Sequence, residues 1–200
     1  MNNKTTGYEI RQDLLDPKFP TQMHSSEFWE SLGRTVATFS MLEDVLGKAI
    51  FSFEATTPYD GSDINEAYQK WISKLAECLN GQLRPLIKRY EKAVKKHPES
   101  TTQNLENVVS ELKKISQYRN ALCHGSWVTP PDSNGATIPF FIDFQKKQFA
   151  TPIDVDFLGR IQTHTADLIC IIINSVTILG WQFPGSNGPG EAIMKTQKEA

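Results

Sequence analysis

Residues 105–125 read LENVVSELKKISQYRNALCHG, and their pattern is the most informative in the chain. Apolar residues recur at steps of three and four, which places them on one face of an α-helix. They are Leu105, Val108, Val109, Leu112 and Ile115. The same stripe then passes through Arg119 before it becomes apolar again at Leu122. A guanidinium at such a position needs a carboxylate, a bound anion or a water-filled cleft, because burying it unpaired is costly.

A second apolar stripe is interrupted by a charge of the opposite sign. Alternating steps of four and three connect Leu32, Val36, Phe39, Glu43, Leu46, Ile50 and Phe53. We infer that Glu43 and Arg119 face each other across a helix interface or share one cleft, with Asp44 as a less well aligned substitute. The alternative is a buried ion pair that only fixes the register of the two helices.

The end of the 105–125 stretch collects further polar groups. Asn120 lies one helical turn before His124 on the same face, so the two side chains should be neighbours. Gly125 is predicted to end the helix in a left-handed conformation, which leaves His124 in the last turn. Free carbonyls and the helix dipole favour the protonated imidazole there. The alternative role for His124 is only to cap those carbonyls.

The order of these residues resembles the signature of the HEPN superfamily. Arg119 and His124 are separated by four residues, Asn120 directly follows the arginine, and Gly125 directly follows the histidine. The superfamily consists of small helical bundles and includes many prokaryotic metal-independent endoribonucleases. The resemblance spans roughly residues 25–182. It implies that Arg119 and His124 are the catalytic pair and that Asn120 orients or assists them.

Glu43, Asp44 and Tyr118 are predicted to support the catalytic residues. The resemblance to the superfamily implies the partners. Two subunits of such proteins usually pair so that both motifs line one cleft, so a homodimer is expected. The substrate would be RNA, and the protein would be a toxin or a defence effector with an antitoxin protein as a further partner.

The implied chemistry is physically reasonable. Cleaving RNA without a metal requires activating a ribose 2′-hydroxyl, protonating the leaving 5′-oxygen and neutralising a charge-rich phosphorane. Histidine and arginine supply these functions, and the product carries a 2′,3′-cyclic phosphate. In a dimer one histidine can act as base and the other as acid, although a single histidine with a polarised water would also serve.

Two non-enzymatic interpretations remain open. A HEPN-like nucleotide- or protein-binding module predicts that His124 is sequestered by packing and that Arg119 is fully paired to Glu43. A structural dimerisation bundle, whose inserted hairpin contacts a partner, predicts that replacing His124 with alanine has no effect in any assay.

Length and charge restrict how RNA could be bound. The 200 residues suit one ordinary domain, and a formal net charge of -2 gives no global basic field. One segment is locally basic, and its other face is apolar. It contains Arg84, Lys88, Arg89, Lys92, Lys95, Lys96 and His97. These residues form either a phosphate-binding surface, with Arg84, Lys88, Arg89 and Lys92 as its contacts, or a solvated helix face.

Cysteine and histidine spacing gives no sign of a metal site or cofactor. Cys78, Cys123 and Cys170 show no CxxC spacing, so we expect buried thiols in a reducing cytoplasm. The four histidines are far apart in sequence and form no zinc-ligand pattern. The most apolar stretch, residues 168–181, falls short of the ~20 residues that a membrane span requires. We therefore expect a cytoplasmic protein that is not embedded in a membrane.

The predicted fold is mainly α, an up-and-down helical bundle with a small β-hairpin inserted before the last helix. Residues 1–24 form an irregular arm, and residues 25–182 form the single HEPN-like domain. The hairpin covers about 126–151, and residues 183–200 form a disordered tail rich in Gly, Pro and polar residues.

The predicted helices cover about 25–55, 63–97 and 101–124, and a last helix ends near Trp181. Ser25 or Ser26 caps the first helix, and Asp154 or Asp156 caps the last. Gly81 and Pro85 mark a predicted break or kink in the second helix, since proline inside a helix removes a backbone hydrogen bond. The aromatic residues of the insert either stack on nucleobases or pack against the bundle, and packing is expected for most of them. They are Trp127, Phe140, Phe141, Phe144 and Phe149.

Overall fold

The computed structural model describes residues 9–57, 69, 72–73, 81–130, 135–188 and 190–193. Within this part of the chain the fold is a helical bundle, as predicted. Its helices are α1 (Ser26–Thr56), α2 (Leu83–Lys96), α3 (Leu105–His124) and α4 (Val155–Thr177). A short 3-10 helix, Gln12–Leu14, precedes them. A turn predicted at residues 58–62 and most of the helical stretch predicted for residues 63–80 lie outside the described residues.

Helix α1 is the centre of the bundle, because it contacts each of the other three helices. Its first turn is capped by Ser25, whose Oγ accepts a hydrogen bond from the backbone N–H of Phe28 at 3.1 Å. The apolar stripes of α2, α3 and α4 pack against α1. Fully buried side chains of this core are Phe39, Leu46, Ile50, Phe53, Leu86, Ile87, Tyr90, Leu112, Ile115, Leu158 and Ile172.

Helix α2 begins at Leu83, so Pro85 lies in its first turn. Backbone N–H groups of the first turn have no partner within a helix, and proline costs nothing there. The predicted break therefore coincides with the start of α2. At the other end, the ring of His97 is buried, and its Nε2 lies 3.1 Å from Thr56 Oγ1 of α1. His97 is thus part of the core, and its predicted place in the basic surface is wrong.

The end of α3 differs from the prediction. Gly125 is extended, with φ -73° and ψ 146°, so no left-handed conformation ends the helix. Glycine is needed there for close packing: an added Cβ would lie 2.5 Å from the backbone oxygen of Ala121 and 2.8 Å from the Cβ of Pro139. The backbone at Gly125 therefore packs closely against the last turn of α3 and against Pro139, which lies in the segment between α3 and α4.

The segment between α3 and α4 contains isolated antiparallel bridges. They join Ser126 to Phe140, Thr137 to Ile153 and Ile142 to Gln148. No described residue belongs to a β-strand, so the predicted hairpin is not confirmed, and residues 131–134 lie outside the described part.

Helix α4 is capped by Asp154, whose Oδ1 accepts a hydrogen bond from Phe157 N–H at 2.7 Å. It ends at Thr177, earlier than the predicted end near Trp181. Within the predicted tail, Phe183 is buried, and the backbone of Glu191 bonds to Gly180 and Gln182. Residues 194–200 lie outside the described part of the chain. Among the described helices, none is long and apolar enough to cross a membrane.

Candidate functional site

Two helices bring the predicted catalytic residues together. The last turns of α3 carry Arg119, Asn120 and His124, and the middle of α1 carries Glu43. The side chains of Arg119 and Glu43 are partly buried, with 26% and 23% of their surface exposed. His124 is exposed at the helix end. The site therefore runs from a partly buried ion pair to a solvent-accessible imidazole.

Arg119 makes the contacts that connect the site. Its Nη2 lies 3.5 Å from Glu43 Oε1, and its Nη1 lies 3.1 Å from His124 Nε2. Nη1 also donates to Asn120 Oδ1 at 3.4 Å. The spacing had predicted a direct pairing of Asn120 with His124, because five helical residues rotate His124 by about 140° from Arg119. The long arginine side chain instead reaches around the helix end and contacts both residues.

The pairing between Arg119 and Glu43 is incomplete. The separation of 3.5 Å is an ion-pair distance but exceeds the usual 2.7–3.2 Å of an N–H···O hydrogen bond. Glu43 Oε1 is buried and accepts no hydrogen bond from any described residue. The carboxylate of Glu43 therefore attracts the guanidinium electrostatically but does not occupy the N–H donors of Arg119. A phosphate could engage those donors.

The contact with Arg119 assigns roles to the two nitrogens of the His124 ring. Arginine has only donors, so a hydrogen bond at 3.1 Å requires Nε2 of His124 to accept. The ring proton is then assigned to Nδ1. This assignment differs from the protonated imidazole that the helix-end position had suggested. An accepting Nε2 at an exposed position is the arrangement that a general base requires.

Cys123 directly precedes His124 and is exposed, as is Cys170. The prediction of buried thiols is therefore wrong for both of them, and Cys78 lies outside the described residues. Desolvation by neighbouring atoms raises the pKa of the Cys123 thiol, although the positive charge of Arg119 lowers it. The thiol is therefore protonated at neutral pH, and Cys123 is a poor nucleophile.

Two predicted supporting residues do not reach the site. Asp44 forms an ion pair with Lys48 at 2.7 Å, one turn along α1. Tyr118 packs edge-on against Phe149 and Phe157, with ring centroids 6.2 and 5.4 Å away. Asp44 therefore forms an ion pair on the surface of α1. Tyr118 packs α3 against α4 and against the segment that precedes α4.

A basic face lies on α2, whereas the arginine and histidine lie on α3. Arg84, Lys88 and Lys92 are exposed, and within the described residues none of the three forms an ion pair. Lys95 is paired with Glu91 at 2.7 Å, and this hydrogen bond lowers the pKa of the Glu91 carboxyl. Of the predicted RNA surface, Arg84, Lys88 and Lys92 therefore lie exposed on one helix face, and Arg89 is partly buried.

One contact of this basic face was not predictable from the sequence. The guanidinium of Arg84 lies over the ring of Phe144, 4.5 Å from its centroid. The two residues are far apart in sequence, and neither has a local pattern that marks the pair. Among the described residues, no group of three or more His, Cys, Asp or Glu side chains is placed to hold a metal ion.

Comparisons of the chain with protein-family models, with curated proteins and with solved structures found no match.

Proposed function

We propose that the protein is a metal-independent endoribonuclease of the HEPN type. Arg119, Asn120 and His124 are its catalytic residues, and Glu43 positions the arginine. One observation carries the proposal: the exposed His124 lies 3.1 Å from the guanidinium of Arg119. Among the described residues, Glu43 is the carboxylate that pairs with this guanidinium, and its buried Oε1 accepts no hydrogen bond. The pair of His124 and Arg119 has a proton acceptor and a phosphate ligand side by side.

The same observation supports this function over the binding-module interpretation. That interpretation requires His124 to be sequestered by packing and Arg119 to be fully paired with Glu43. His124 is exposed, and the distance between Arg119 and Glu43 exceeds hydrogen-bond length. A purely structural ion pair would also be expected to form close hydrogen bonds that offset its desolvation. The geometry therefore favours catalysis.

The proposed reaction is an internal transesterification of RNA. His124 Nε2 removes the proton from a ribose 2′-hydroxyl, and the 2′-oxygen attacks the adjacent phosphorus. A new bond forms between the 2′-oxygen and phosphorus, and the bond from phosphorus to the 5′-oxygen breaks. The leaving oxygen takes a proton from the imidazolium of a second subunit or from a polarised water. The products are a 2′,3′-cyclic phosphate and a free 5′-hydroxyl.

Arg119 stabilises the charge that develops on the phosphorane. When the phosphate enters, the guanidinium exchanges its contact with His124 for a contact with a non-bridging oxygen, which leaves Nε2 free to act as base. Glu43 limits the movement of the guanidinium during this exchange. The Asn120 amide orients Arg119 by accepting from its Nη1.

The proposal includes partners and a setting. A homodimer would place two such sites in one cleft, and an antitoxin protein would restrain the activity in a cytoplasmic toxin or defence system. The HEPN-like topology, with a hairpin formed by the segment that bridges Ser126 to Phe140, belongs to the same proposal.

The test is RNA cleavage by the purified protein in EDTA. We expect cleavage by the wild type and its loss in Arg119→Ala and His124→Gln. His164→Gln is the matched control, because His164 is a partly exposed histidine that bonds to Glu111 on the surface. Cleavage that is equal in all forms, with folding confirmed by circular dichroism, would contradict the proposal.

A further inference from the structure

An apolar strip is exposed on the segment that connects α3 to α4. Four large side chains of this segment are 39%, 55%, 51% and 72% exposed, and they belong to Ile138, Phe140, Ile142 and Phe144 respectively. They alternate with more buried residues, of which Thr137 and Pro139 are the most enclosed. Alternation along the extended part of the segment places Ile138, Phe140 and Ile142 on one side, and Phe144 follows in the turn that begins at Asp143. Contiguous exposed apolar surface of this kind usually marks a binding site.

One end of the apolar strip adjoins the proposed catalytic residues. Ser126 and Phe140 exchange two backbone hydrogen bonds, at 3.0 and 2.8 Å. Ser126 follows His124 by two positions, and Gly125 between them packs against Pro139. Phe140 is therefore fixed to the backbone that carries the exposed imidazole.

The other end of the apolar strip meets the basic face of α2. Arg84 lies over the Phe144 ring at 4.5 Å, and Lys88 and Lys92 follow at intervals of four residues along the same helix face. The neighbouring acid, Asp143, is engaged by the backbone N–H groups of the turn, at 2.8 and 2.9 Å. Positive charge therefore dominates this end of the strip.

We infer that the apolar strip and the basic face of α2 form one binding track for single-stranded RNA that leads away from His124. Nucleobases stack on Phe140 and Phe144, and phosphates contact Lys88 and Lys92. Stacking on aromatic rings beside a basic groove is the general way in which proteins hold single strands. This inference rests on the proposed function, since it supplies the substrate path for that site.

The charges favour RNA over a second copy of the chain as the occupant. A second copy would cover Ile138 and Ile142 equally well, but the one acid of residues 138–144, Asp143, is already engaged by backbone N–H groups and is not free to pair with Lys88 or Lys92. The chain as a whole carries a net charge of -2, so cations gathered beside exposed aromatic rings are not a general property of its surface. A polyanion with stacking bases complements both features.

The test is the affinity of the full chain for a labelled single-stranded RNA of mixed sequence, measured by fluorescence anisotropy in EDTA. All variants carry His124→Gln so that the RNA remains intact. Phe140→Ala and Phe144→Ala should each weaken binding by about tenfold. Ile178→Ala is the matched control, since it removes a residue of α4's C-terminal end that is 70% exposed, and it should bind normally. Lys88→Ala and Lys92→Ala should each lower the slope of log affinity against log salt by about 0.7.

The outcomes separate this inference from the proposed function. Normal binding by both phenylalanine variants would overturn the track, even if the wild type cleaves RNA and His124→Gln does not. Weakened binding by these variants would support the track, even if no form cleaves RNA. Equal affinity for a duplex of the same sequence would overturn the single-strand assignment. A dimer that dissociates on Phe140→Ala while RNA binding is retained would identify a second copy as the occupant and also overturn it.

Discussion

The ion pair between Glu43 and Arg119 makes a sharp prediction for Glu43→Gln, which removes the charge and keeps the shape. Coulomb's law gives about 5 kcal/mol for unit charges 3.5 Å apart at an effective dielectric constant of ~20. Both side chains keep roughly a quarter of their surface exposed, so water screens much of this interaction. Measured values are about 0–1 kcal/mol for exposed pairs and about 3–5 kcal/mol when a buried pair is broken. We therefore take about 1–2 kcal/mol for this pair.

This energy limits how strongly Glu43 restricts the guanidinium. If Arg119 stabilises the transition state only in its held position, Glu43→Gln should lower the cleavage rate per folded molecule by about tenfold, within a range of about five- to thirtyfold. The assay is single-turnover cleavage in EDTA, together with urea unfolding to correct for the folded fraction.

Asp44→Asn is the matched control, because Asp44 is the adjacent carboxylate on α1 but pairs with Lys48. It should leave the cleavage rate unchanged. An unchanged rate for Glu43→Gln, with or without a loss of stability, would refute the argument that Glu43 positions the catalytic arginine.

Three further predictions concern packing and titration. Gly125→Ala should destabilise the fold by about 1–3 kcal/mol in urea unfolding, because its Cβ would meet backbone at 2.5 Å, whereas Gly159→Ala, with open space around it, should be neutral or stabilising. Tyr90→Phe should cost about 1 kcal/mol through a lost buried hydrogen bond. Burial raises the pKa of the Tyr90 hydroxyl. The stabilisation of the folded state that this shift provides is complete below pH ~10 and is lost at higher pH. Tyr90→Phe should therefore resist base denaturation more than its lower stability at neutral pH suggests. The Cys123 thiol should react with iodoacetamide at neutral pH more slowly than a free thiol, because its pKa is raised. Arg119→Ala should slow this reaction further, because it removes the positive charge that lowers the pKa of the thiol. Peptide mass spectrometry measures both rates.

Local chemistry was predictable from the sequence. The apolar stripes of α1 and α3 are regular, so the single charges within them stood out, and the structure places Arg119 and Glu43 3.5 Å apart. Each helix cap was predicted to within two candidates, because capping depends only on neighbouring residues, and the structure selects Ser25 over Ser26 and Asp154 over Asp156.

Features that depend on distant parts of the chain were not predictable. The requirement for glycine at position 125 comes from the backbone oxygen of Ala121 and from Pro139, and Pro139 approaches it only in the folded chain. His97 follows two lysines, yet the fold turns its ring toward Thr56 and away from the basic surface. The stacking of Arg84 on Phe144 joins a helix to a distant connecting segment, and no pattern in either one marks it.

The most direct test of the proposed chemistry is the identity of the 3′ end left on cleaved RNA. The wild-type protein in EDTA should produce fragments that end in a 2′,3′-cyclic phosphate, detected by mass spectrometry, and an RNA with 2′-deoxyribose at the cut position should remain intact. His124→Gln should produce no such fragments. Fragments that end in a 3′-hydroxyl, or cyclic phosphate formed equally by His124→Gln, would contradict the assignment of His124 as the base in metal-independent RNA cleavage.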